Sequence, residues 1–157
     1  MSDSEHILDE LRRIIGDAQC AGPASQGDID ATEAALGATL PPSFRTFLLH
    51  FGAGALPAPF TLVGLPPTRA SNPFPPMWSH LLDVAAQLRR HATQPDSFIP
   101  IASDGCGINI FLDLSRTDAT GECPVVARGP GVDDVDIAPT FLSFAQAAAF
   151  GDPLASL

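Results

Sequence analysis

The chain contains no lysine and no tyrosine, and only one tryptophan. All eight basic residues are therefore arginine, set against 18 carboxylates, for a formal net charge of -10. Such a surface repels a phosphate backbone, so nucleic acid is a poor partner. An anionic membrane face is disfavoured for the same reason. No run of 18 apolar residues is present, so no transmembrane helix is expected. The N-terminus, MSDSEHILDELRR, is acidic and lacks the apolar run of a signal peptide. A cytoplasmic protein is the expectation.

Cysteine is also scarce. Cys20, Cys106 and Cys123 are widely spaced and odd in number, with no Cys-x-x-Cys pair. This pattern argues against a disulfide framework or a zinc site and for reduced thiols. The four histidines, His6, His50, His80 and His91, never fall at i, i+4. Neither a metal nor another cofactor is implied. Cys106 lies between Gly105 and Gly107 in a turn, with no histidine nearby in sequence. It is the best thiol candidate for a small hydrolase, the weakest of three functional readings. The same glycines are not a phosphate loop, because a strand follows them where a helix and Gly-Lys-Ser/Thr would be needed.

What is present suits one folded domain spanning 1–157. A chain of this length buries about 68–70% of its unfolded surface, enough to need no staple. Ser4 can cap a first helix, in which Ile7, Leu8, Leu11, Ile14, Ile15 and Ala18 recur at helical spacing. A second, short helix is predicted from near Asp28 to Leu36, stopped by Gly37. Pro41 and Pro42 open a third, with Phe44, Phe47, Leu48 and Phe51 on one face. Phe60 to Leu65 reads as a strand, although residues 57–76 hold seven prolines and must be largely loop. A helix with Trp78, Leu81, Leu82, Ala85 and Leu88 follows.

The remainder is mainly strand. Phe98–Ala102 leads through a glycine turn into Ile108–Leu114, where apolar residues alternate with Asn109, Phe111 and Asp113. Pro124–Ala127 is another strand, Val132–Ile137 an edge strand or loop, and Pro139 opens a last helix. Strands joined by short turns pair antiparallel. The expected fold class is α+β, with a twisted, mainly antiparallel sheet packed against helices.

The segment Ile29–Gly54, IDATEAALGATLPPSFRTFLLHFGAG, resembles the opening signature of the SUKH superfamily. Glu33, Leu36, Gly37, Leu40, Pro41, Phe47, Leu48 and Phe51 occupy its places. Phe98–Ser115 resembles the family's strand–glycine turn–strand unit, and DIAPTFLSFAQAA its closing helix. The resemblance covers about residues 26–148. Phe51-Gly52-Ala53 stands where members often carry Tyr-Asn-Gly, and Ile108-Asn109 where an Asp often follows the turn. The proline-rich stretch 57–76 has no counterpart. The resemblance implies a non-enzymatic binding domain, most often a bacterial immunity protein that neutralises a toxin or effector. The alternative is a regulatory or scaffold module without a toxin, as in fungal relatives.

Charge narrows the expected surface. Residues 96–136 hold eight carboxylates against Arg116 and Arg128, a sum of -6. Residues 1–92 sum only to -3. Alternation puts Asn109, Phe111 and Asp113 on one side of their strand. With Asp104, Asp133, Asp134 and Asp136 they form the expected contact set for a basic protein partner. The competing reading is that the acidity serves solubility and that several of these residues merely make turns. The sequence does not specify the oligomeric state.

Overall fold

A computed structural model of the protein describes residues 3–15, 22–55, 61–65, 80–91, 95–104 and 107–150. Among these, helix α1 spans Asp3–Ile15, α2 Gln26–Leu36, α3 Pro42–Phe51, α4 Leu81–His91 and α5 Phe141–Phe150. Strands β1 (Gly54–Ala55) and β2 (Thr61–Leu62) are two residues each. The body of the sheet is β3 (Phe98–Ser103), β4 (Asn109–Asp113), β5 (Val125–Gly129) and β6 (Val132–Ala138). The strands lie side by side in chain order, and every neighbouring pair is antiparallel. The α+β class holds, with an open sheet against helices.

The helices begin and end where the local chemistry directs. Ser25 caps α2 by accepting a hydrogen bond from the Asp28 N–H at 3.0 Å. That cap starts the helix two residues before the expected Asp28. Gly37, at φ +70°, closes it in the left-handed region that glycine reaches without steric cost. Phe44, Phe47, Leu48 and Phe51 all face inward from α3. Phe141 of α5 meets Phe44 and Phe47 at ring distances of 5.0 and 5.5 Å. Burying each such ring is worth roughly 1.5–3 kcal/mol.

Two glycines let three segments touch backbone to backbone. A Cβ on Gly64 would lie 1.9 Å from the Gly52 carbonyl oxygen, and one on Gly52 would lie 2.0 Å from that of Gly22. Through this contact Leu65 donates to the Gly52 carbonyl at 2.7 Å and Gly22 to that of Phe51 at 2.9 Å. The expected strand Phe60–Leu65 is correspondingly short. Among the described residues of that segment, Thr61 and Leu62 form β2, Val63 donates to the Ile101 carbonyl at 2.7 Å, and Gly64 forms an isolated parallel bridge to His80. Phe60, Trp78, Ala18 and most of the stretch 57–76 lie outside the described residues.

The sheet has two apolar faces. Ile99, Ile110, Leu112, Val125 and Ala127 join α1, α3 and α5 in the main core. Phe98, Phe111 and Val126 form a smaller cluster, against which Leu88 of α4 packs. The registers Ile99 with Leu112 and Pro100 with Phe111 set this division, since paired residues point the same way. Among the described residues, no helix is long and apolar enough to cross a membrane.

Candidate functional site

The residues singled out by sequence lie on β4, on β6 and, for Asp104, in the turn after β3, but the structure divides them. Alternation does bring Asn109, Phe111 and Asp113 to one side of β4. That side is covered in its middle. Phe111 is only 1% exposed and meets Phe98 at 5.6 Å between ring centroids. The guanidinium of Arg128 lies 5.5 Å from the centre of the Phe98 ring, closing over this cluster. Phe111 is therefore a core residue of the second face, not an exposed aromatic. Period two gives a side chain's direction but not whether a helix and an arginine lie above it.

Asp113 is buried as well, at 5% exposure. Its Oδ1 accepts from the Ser115 N–H at 3.1 Å and the Ser115 hydroxyl at 2.6 Å. Its Oδ2 accepts from Arg116 Nε at 2.9 Å. It thereby caps a single 3-10 turn, Leu114–Arg116. Burial alone would raise its pKa. The hydrogen bonds from the Ser115 hydroxyl, Arg116 and the Ser115 N–H outweigh that and hold the carboxyl below its ordinary range.

Arg116 links this buried group to the edge of the sheet. Its Nη1 and Nη2 donate to the two Asp136 oxygens at 2.7 and 2.6 Å, a bidentate pair. Hydrogen bonds to Asp136 and then to Asp113 push the guanidinium pKa further up, so its charge is permanent. The same contact holds the Asp136 carboxyl low. Asp134 is paired in turn with Arg128, whose Nε and Nη2 donate at 2.6 and 3.0 Å. The two arginines of this region are already counted in the sum of -6, so the pairing fixes where the charges sit and leaves the excess unchanged.

The remaining expected residues fall into two groups. Asp104 is a turn residue: its Oδ1 accepts from the Ile108 N–H at 3.0 Å, and its own N–H donates to the Ile108 carbonyl. Asn109 is half-buried at the start of β4, in register with Ser103 and Arg128. Asp133, Asp134 and Asp136 are exposed on β6, which among the described strands lies at one edge of the sheet and is a strand, not a loop. Asp133 forms no ion pair with a described residue.

Two features went unseen in the sequence. The first is an open cleft of about 530 Å³ between residues 118–124 and the end of β6, lined by Arg116, Asp118, Glu122, Asp136 and Pro139 among others. The second is how that wall is held. Asp118 Oδ1 accepts from the Thr120 hydroxyl, the Thr120 N–H and the Glu122 N–H at 2.6, 2.8 and 3.1 Å. Those bonds keep its carboxyl below the ordinary range. Glu122 then reaches Ser43, accepting from its N–H at 2.9 Å and its hydroxyl at 2.7 Å. Pro41, the N-cap of α3, supplies no side-chain bond, so Glu122 caps that helix from 79 residues away. Of the cleft residues, Asp136 belongs to the expected contact set, while Arg116, Asp118 and Glu122 enter the sequence reading only through the charge count.

Cys123 borders the cleft but is 2% exposed. Burial first, then the nearby Glu122 and Asp113 charges, push its thiol up to about 12, so it stays protonated and a poor nucleophile. Cys20 and Cys106 lie outside the described residues. Among the described residues, no three His, Cys, Asp or Glu side chains are grouped to hold a metal. Glu33 is half-buried and accepts from the Leu40 N–H at 2.7 Å, tying α2 to the approach of α3.

Residues 23–147 match the model described as the SMI1 / KNR4 family (SUKH-1). No curated protein matches the chain. Among solved structures, the chain is similar to a protein from Pseudomonas syringae pv. tomato, with 16% identity and a TM-score of 0.59. That match covers 90% of this chain and 95% of the other, and it speaks for the fold alone.

Proposed function

Because the chain belongs to the SMI1 / KNR4 family (SUKH-1), we propose that it is a non-enzymatic binding protein that neutralises a basic toxin or effector domain. Family membership supports the coarser part, a non-catalytic, immunity-type domain. The toxin, the basic partner and the contact residues are the proposal. The observation that carries it is the set of exposed carboxylates Asp133, Asp134 and Asp136 on β6, at one edge of the described strands. Rim charges of this kind steer a partner of opposite sign and fix its register more than they add raw affinity. Arg116 and Arg128 hold two of the three in defined positions. A preset carboxylate loses less side-chain freedom on binding than a loose one.

The burial of Phe111 and Asp113 sharpens the contact set. Neither presents surface to a partner, so their role in the proposal is to support Arg116 and Arg128. Asp104 and Asn109 flank the same face from the turn and from the start of β4. The test is co-expression with the product of a neighbouring gene that encodes a toxin domain. A stable complex and protection of the host cell are expected, both weakened by Asp133→Arg. Failure to form a complex or to protect would overturn the proposal.

A further inference from the structure

Strand β6 pairs with β5 on one side only, and no other described strand pairs with its outer side. An edge of this kind carries backbone donors and acceptors that a second chain can take up. Its two flanks differ in chemistry. Asp134 and Asp136 are exposed on the side shared with Arg128 and Arg116. Ile137, Ala138 and Leu142 of α5 are half-buried along the margin of the main core. A second copy of this chain is a poor occupant. It would set Asp133, Asp134 and Asp136 against themselves, and like charges placed opposite each other destabilise a strand pair. Two irregularities in the β5–β6 register, with Asp134 at φ +51°, break the edge into short lengths, so any strand added there is short.

We propose that β6 accepts a short extended segment of the partner by strand addition, with basic side chains along the Asp134–Asp136 flank and apolar ones beside Ile137 and Leu142. This rests on the partner-binding reading above and specifies its mode. The acidic flank closes the edge to self-pairing and leaves it open to a strand of opposite charge. The cleft bounded by Asp136 and Pro139 continues the same edge and can take the side chain that follows the paired segment.

The test uses the full chain and a synthetic hexapeptide of alternating arginine and valine. Amide hydrogen exchange, read by NMR, is expected to slow along β6 when the peptide is added. A peptide N-methylated at alternate residues keeps its charge but loses backbone donors, and should bind about tenfold more weakly or worse. Equal binding of the N-methylated peptide would reduce the contact to charge alone and overturn strand addition. So would protection that maps away from β6, or no binding. Sedimentation showing the free protein paired through β6 would also overturn it, with a second copy as the occupant. If the peptide fails while the complex with the neighbouring gene product still forms, the mode is wrong and the partner-binding reading stands.

Discussion

Arg116 holds two carboxylates at once, one buried and one exposed. Removing it would leave Asp113 charged in a largely apolar setting, with only Ser115 for company. Because Arg116 is itself 45% exposed, the cost is well below that of a fully buried pair. Arg116→Ala is expected to destabilise the fold by about 1–3 kcal/mol, measured as a lower urea midpoint with an unchanged slope. The same network sets an acid limit. Asp113 and Asp136 both titrate below their ordinary 3.8 in the folded protein. Their contribution is fully present above that value and is lost as pH falls through the depressed folded values. Urea midpoints recorded from pH 5 down to 2 should therefore fall, and an Asp113→Asn variant should fall less steeply over the same range.

At the scale of elements, helix α3 depends on a residue far from it in sequence. Glu122→Ala deletes the side-chain cap and leaves the Ser43 hydroxyl and N–H without their acceptor. A loss of about 1 kcal/mol is expected in thermal or urea unfolding, in the range typical of helix caps. Ser43→Ala in the same background should add little, because the two groups act as a pair. Gly64→Ala tests the backbone contact with Gly52. No side chain can yield there, so failure to accumulate folded protein, read by circular dichroism, is expected. The helices, their glycine stops and the β3–β4 unit were legible because local chemistry decides them. The role of Phe111, the covering of the sheet's second face and the Glu122 cap were not. Each depends on which distant segment lies above or beside it, and no periodicity encodes that.

For the whole molecule, a net charge of -10 acts at long range. Exposed charges are screened beyond roughly 8 Å at physiological salt. Association with a basic partner is therefore expected to slow by about tenfold or more between low and high salt, measured by stopped flow, with a smaller change in the dissociation rate. An on-rate independent of salt would assign the acidity to solubility. The site itself was half legible at this scale. Summing charges by segment pointed to the strand-rich part, but a net sum cannot show that Arg116 holds both Asp113 and Asp136 or that Asp113 is buried.

The chain-order meander of the sheet has a kinetic consequence. Strands β3 to β6 span Phe98–Ala138 and pair only with their neighbours in sequence. Each successive pairing closes a short loop, so this unit can assemble without waiting for the helices. The bond from Glu122 to Ser43 closes the chain over 79 residues and can form only when the helical layer docks. Glu122→Gln should therefore speed unfolding and leave the folding rate nearly unchanged, a low φ-value at this position. The cap would then act as a latch fastened last.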